Sequence, residues 1–177
     1  MRATGIVRRI DDLGRIMVPK EIRRTMRIKD GDPLEIFVEN GAIIYKKYSP
    51  VAELEDFAQK YAEALQKTTG HMCFITDRDN TVAVNGVQRS SYLAKSLTPQ
   101  LEEIIENREL LQSNSAAGIK IINDQTITLR SIVICPIISE GDPIGSVILA
   151  SVTVDMGETD SALVKSAAIF LGKQFEV

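Results

Sequence analysis

The first 48 residues alternate apolar and polar positions with the period of β-strands. Thr4–Ile10 reads as one strand, Asp11–Gly14 as a turn and Arg15–Val18 as a second strand. Pro19 opens a helix of about two turns that ends near Met26. Lys29–Pro33 is a Gly/Pro turn, Leu34–Val38 alternates again, Glu39-Asn40-Gly41 is a hairpin signal, and Ala42–Tyr48 is the return strand. The apolar positions are Ile6, Ile10, Ile16, Val18, Ile22, Leu34, Ile36, Val38 and Ile43. A module of about 50 residues without disulfides or metals cannot enclose such a set alone. The pattern therefore predicts an obligate dimer whose core is shared by two copies.

The periodicity changes at Ser49-Pro50, because the residue before proline is held extended and proline can start the next helix. Val51, Leu54, Ala58, Tyr61 and Leu65 then fall at helical spacing, and Gly70 ends the helix. This seam fits packing on its own domain, and a helix at a domain junction also fits contact with a second subunit. His71–Asp77 and Thr81–Asn85 form a hairpin around Asp79-Asn80. Thr98-Pro99 caps a helix running to about Gln112, with Glu102 and Glu103 favourably placed in its first turn. Ile119–Asn123, Thr128–Ile138 and Pro143–Val154 read as strands. A last helix, Thr159–Phe175, is expected to bury Leu163, Ala167, Phe170 and Leu171. The order describes an α+β domain with an antiparallel sheet, so the chain divides into domains 1–50 and 51–177.

Composition adds a charge asymmetry. Of the 177 residues 44% are hydrophobic, as in an ordinary globular chain, and the formal net charge is −3. Yet residues 1–29 carry nine basic side chains (Arg2, Arg8, Arg9, Arg15, Lys20, Arg23, Arg24, Arg27, Lys29) against Asp11, Asp12 and Glu21, a local charge of +6. A basic module that meets a polyanion is thus carried on an acidic module with another role. The longest apolar runs fall well short of the roughly 20 residues that cross a bilayer. No apolar leader follows Met1, so the chain is expected in the cytoplasm and away from membranes. Cys73 and Cys135 lie in strand-like apolar runs and are expected as core thiols.

The inventory argues against an enzyme. His71 is the single histidine, and two cysteines cannot complete a common zinc site. There is no G-x-S-x-G, P-loop or G-x-G-x-x-G. Glu102, Glu103, Glu106 and Glu109 read as the solvated face of one helix. Neither a catalytic residue nor a cofactor or metal is expected. The arginines, by contrast, suit binding to DNA, since the planar guanidinium fork holds phosphate, or the O6/N7 edge of guanine, bidentately. Arg8 and Arg9 point to opposite faces of their strand, so both cannot meet the same groove. The bland alternative is a solvated face balanced by Asp11, Asp12, Glu21 and Glu35.

At these residues the chain resembles the AbrB-type swapped-hairpin transcription factors. The resemblance rests on Thr4-Gly5-Ile6-Val7-Arg8-Arg9-Ile10-Asp11-Asp12-Leu13-Gly14-Arg15 and on Val18-Pro19-Lys20-Glu21-Ile22-Arg23-Arg24-Thr25, within residues 1–48. It implies an N-terminal, mostly-β swapped-hairpin barrel formed by a dimer, which presents Arg8, Arg15, Arg23 and Arg24 to the major groove of double-stranded DNA. Met17 and Met26 stand where the family usually has aliphatic residues, a conservative change. The two-module layout is similar to that of sporulation regulators whose C-terminal part is a GAF-type domain. This implies a DNA-binding regulator of sporulation genes, activator of some and repressor of others, associated with the nucleoid of the forespore. For the GAF-like domain two roles stand open, holding an unidentified small ligand and pairing dimers into tetramers. The chain has no Asn-Lys-x-Asp-Glu cyclic-nucleotide signature, and neither cysteine sits in a chromophore context. The rival reading is an antitoxin-like protein–protein module, against which residues 51–177 look too well ordered to be a toxin-binding tail.

Overall fold

The computed structural model describes residues 5–175. Thr4, the expected start of the first strand, and Arg2 lie outside that range. The chain forms two compact units, residues 1–48 and 49–177.

In the N-terminal unit, helix α1 (Lys20–Thr25) follows Pro19, and strands β1 (Leu34–Glu39) and β2 (Ala42–Lys47) form an antiparallel hairpin. Its two-residue turn places Asn40 at φ 48° and Gly41 at φ 75°, the pair of positive values a type I′ turn requires. The strands expected at Thr4–Ile10 and Arg15–Val18 are absent among the described residues, and between them the Asp11–Gly14 turn is ordered by hydrogen bonds. A strand exists only against a neighbouring edge, and one chain supplies these two segments with no ladder. No residue from 5 to 48 is buried. Val7 is 84% exposed and Val38 79%, while Ile6, Ile10, Ile16, Ile36 and Ile43 also face outward.

The C-terminal unit is built on a five-stranded, wholly antiparallel sheet in the order β4-β3-β7-β6-β5. The strands are β3 (Met72–Asp77), β4 (Thr81–Asn85), β5 (Leu111–Ser113), β6 (Ser131–Ser139) and β7 (Asp142–Ser151). β3, β6 and β7 are apolar on both faces, so each face must be covered. Cys73, Ile75, Val133, Ile137, Val147 and Leu149 meet α2 (Pro50–Glu53), α3 (Glu55–Thr69) and α6 (Glu158–Gln174). Phe74, Ile132, Ile134, Ile148 and Ala150 turn the other way, towards α4 (Arg89–Tyr92), α5 (Pro99–Glu106) and the segment around Ile121 and Ile122. An antiparallel sheet between two helical layers satisfies that double-sided burial.

Several boundaries differ from the sequence reading. Pro50–Gly70 is broken at Leu54 into two helices, with Ser49 capping the first and Gly70 at φ 74° closing the second. The helix from Thr98 stops at Glu106, because Arg108 turns to φ 60° and Leu111 pairs with Ile134 of β6, leaving Glu109 off the helix. Ile119–Asn123 is not a strand; a single bridge joins Ile122 to Leu97. On α6 the buried face is Val164, Ala167, Ala168 and Leu171, while Leu163 is half-buried and Phe170 is 42% exposed. Phe170 instead stacks on Tyr61 of α3, with centroids 5.8 Å apart.

Gly172 lets α6 lie close against the sheet: a Cβ there would lie 2.2 Å from the carbonyl oxygen of Ile138. Alanine favours helices by about 1 kcal/mol over glycine, yet Gly172→Ala should destabilise the unit by about 1–3 kcal/mol through forced displacement of β6. Thermal denaturation checks this: the midpoint should fall by several degrees, and a rise would contradict the contact.

Candidate nucleic-acid interface

The Asp11–Gly14 turn organises the first group of arginines. Asp11 N–H donates to the carbonyl of Arg15 (3.0 Å), and Gly14 N–H to the carbonyl of Asp11 (2.9 Å). Gly14 has φ 75°, a conformation that a side chain would strain. One oxygen of the Asp11 carboxylate, Oδ1, accepts from the backbone N–H of Leu13 (3.0 Å) and of Arg15 (2.8 Å). The other, Oδ2, accepts from Nε of Arg15 at 2.8 Å, while the Arg15 side chain stays 71% exposed. Arg8 precedes the turn by three residues, is exposed, and among the described residues bonds to its neighbour's carbonyl, Val7 O, at 3.1 Å.

Arg23 and Arg24 are adjacent on α1, so they project about 100° apart around its axis. Arg23 pairs with Asp30, and its Nε is buried without a partner among the described residues. Arg24 is exposed and has no carboxylate partner among them. Within one chain Arg15 is thus tied to Asp11 and Arg23 to Asp30. Sequence reasoning gives Asp11 and Asp12 merely as charge balance and misses the structural role of Asp11. The Asp-x-x-Gly spacing of a turn, followed at once by Arg15, is the signal that could have shown Asp11 shaping the site.

Cys73 and Cys135 are buried free thiols, and burial pushes Cys73 up to about 12, so it stays protonated. His71 lies with Nε2 3.5 Å from Asp160 at the start of α6. No group of three metal-ligating side chains occurs among the described residues, and no helix there is long and apolar enough to cross a membrane.

The chain thus carries an arginine-bearing N-terminal module ahead of an antiparallel α+β domain. A family profile described as stage V sporulation protein T C-terminal, transcription factor, matches residues 53–176. A second, described as antidote-toxin recognition MazE, bacterial antitoxin, matches residues 7–51. The chain is 48% identical over 177 residues to stage V sporulation protein T of Bacillus subtilis (strain 168), covering 99% of each. It is 54% identical over 50 residues to the transition state regulatory protein AbrB of the same organism, covering 28% of this chain and 52% of that one. Among solved structures, the GAF domain of Acinetobacter phosphoenolpyruvate-protein phosphotransferase superposes with TM-score 0.57 at 14% identity, covering 68% of this chain and 80% of that one, a likeness of fold alone. The chain belongs to the stage V sporulation protein T family of transcription factors.

The bonds from Arg15 hold the Asp11 carboxyl below the ordinary aspartate range, its backbone N–H contributing most and its side chain next. A lowered folded value means the carboxylate stabilises the turn above the unfolded titration range, and that this support is lost as pH falls through the folded value. An NMR titration should find the Asp11 midpoint below that of a model peptide. Arg15→Ala should raise it only part of the way, since the backbone bond survives.

Proposed function

We propose that this chain is a DNA-binding regulator of sporulation genes, activating some and repressing others. Two copies interleave their N-terminal units into one barrel and grip double-stranded DNA through Arg8, Arg15, Arg23 and Arg24. The observation that carries the reading is the N-terminal unit itself. It combines a charge of +6 over residues 1–29 with exposed guanidinium groups and an apolar set that one chain leaves uncovered. A second copy would cover that set, supply edges to the segments around Ile6 and Ile16, and double the arginines. The 54% identity to AbrB over these residues supports the same assignment.

In this reading the C-terminal unit pairs dimers into tetramers. Phe57, Tyr61 and Phe170 support it, since they form an aromatic cluster across α3 and α6 beside exposed Ile169. An unidentified small ligand in the GAF-like domain is the other role. It would regulate only by binding DNA-competent and incompetent states unequally. Action on the nucleoid of the forespore belongs to the same proposal. The antitoxin reading draws on the match of residues 7–51 to the MazE profile. Against it, residues 53–176 match a transcription-factor domain with its own core. Stoichiometric copurification of a small toxin would favour it.

Binding to duplex DNA should be salt-sensitive. If a dimer neutralises six to eight phosphates, log K should fall with log salt with a slope of roughly −5 to −7. Arg15→Ala and Arg23→Ala should each weaken binding about tenfold or more, and together abolish it at moderate salt. Fluorescence anisotropy with the duplex that the wild-type protein enriches from a random library checks this; wild-type affinity in the double variant would refute the residue assignment.

Shared burial of the N-terminal apolar set has its own test. Ile36→Asp in the full chain would place a charge in the dimer core, costing several kcal/mol. DNA affinity should drop by at least about tenfold while the C-terminal unit melts as in wild type. Unchanged affinity would exclude a core shared through β1.

A further inference from the structure

The Asp11–Arg15 contact has a feature that charge balance does not explain. An acid beside a phosphate-binding arginine lowers affinity for any DNA, because it repels the same phosphates the arginine attracts. Yet both oxygens of this carboxylate are engaged, with Oδ1 on two backbone N–H groups of the turn and Oδ2 on Arg15 Nε. The guanidinium is held by one edge only. Its two terminal nitrogens have no partner among the described residues, and the side chain is largely exposed.

We propose that Asp11 is a specificity-determining positioning residue for DNA recognition. One oxygen builds the turn, and the other fixes the Arg15 guanidinium so that its terminal nitrogens reach the DNA end-on in one preset orientation. This rests on the reading of Arg15 as a DNA contact. Two consequences pull in opposite directions. Repulsion from Asp11 reduces affinity for every sequence alike. Presetting the fork spares a long side chain its ordering cost, roughly a two- to tenfold factor for each arginine, and this gain is realised only where an acceptor pair such as guanine O6/N7 lies at the fixed position. Asp11 therefore exchanges general affinity for discrimination.

Asp11→Asn separates the two functions of the carboxylate. An asparagine side chain keeps a carbonyl oxygen for the Leu13 and Arg15 backbone donors, whereas its amide nitrogen cannot accept from Nε. The experiment measures binding of the full-length wild type, Asp11→Asn, Arg15→Ala and Asp11→Asn/Arg15→Ala. The probes are the duplex enriched by the wild-type protein and a scramble of the same composition. Asp11→Asn should bind the scramble about two- to fivefold more tightly and lose about fivefold or more of its preference for the enriched duplex. In the Arg15→Ala background the same change should leave the preference unaltered. The Arg15 Nε–H resonance of the free protein reports the contact independently: it should be slowed in exchange in wild type and fast in Asp11→Asn.

An unchanged preference in Asp11→Asn overturns the proposal while leaving Arg15 as a contact. An equal loss of preference with and without Arg15 also overturns it, since Asp11 would then act through the turn alone. If Arg15→Ala binds both duplexes as wild type does, the DNA reading of Arg15 fails and this inference with it.

Discussion

A 48-residue module encloses too little volume to hide the aliphatic side chains its strands carry, and much else in the protein follows from that shortage. Burial removes apolar area from water in proportion to the neighbours available, and here one chain offers a single hairpin and a six-residue helix. Ile36, Val38 and Ile43 remain outside although the hairpin's own turn and register are well specified. Local geometry and burial are thus separable in this unit: the type I′ turn at Asn40-Gly41 needs only its own backbone, whereas the apolar faces need another surface. In the proposed dimer the same requirement that completes the core brings two sets of arginines together, so folding and DNA recognition are one event.

The C-terminal unit meets the opposite condition. Its central strands are apolar on both faces, and the helices distribute themselves accordingly, with α3 and α6 on one side and α5 on the other. Contact is close enough that Gly172 brings a helix backbone onto β6. Polar groups inside are paired, as where the Thr76 and Ser146 hydroxyls meet at 2.8 Å across β3 and β7. A self-sufficient core of this kind can join or regulate partners without being dismantled. At its surface Phe170 stays 42% exposed beside Ile169, and it closes an aromatic cluster with the half-buried Phe57 and Tyr61.

Electrostatics divides along the same boundary. The positive charge sits in the N-terminal unit, and two of its arginines lean on carboxylates, Arg15 on Asp11 and Arg23 on Asp30. Exposed ion pairs contribute little stability. In the proposed interface their value is orientation, because a guanidinium tethered at one edge still offers donors at another.

How far the sequence could be read depended on the range of the interactions concerned. Caps and turns were legible: Thr98-Pro99 opens α5, Gly70 closes α3, and Asn40-Gly41 makes the hairpin, each set by a residue's own dihedral preference or nearest hydrogen bond. The arginine module was legible too, since its motif is contiguous and its charge is a property of composition. The end of α5 was not, because Leu110 and Leu111 extend a helical apolar pattern, and only pairing of Leu111 with Ile134, more than twenty residues on, makes that segment a strand. Phe170 looked like core by spacing, but the rotation of α6 against the sheet gave that place to Val164 and Ala168. The role of Asp11 fell between these cases: the sequence announced a turn, and only the folded chain put its second carboxylate oxygen on Arg15. Sequence alone determined the division into two modules, the basic surface and the local punctuation, because these depend on neighbours along the chain. Tertiary structure decided which faces are buried and which acid holds which arginine, because those depend on neighbours in space.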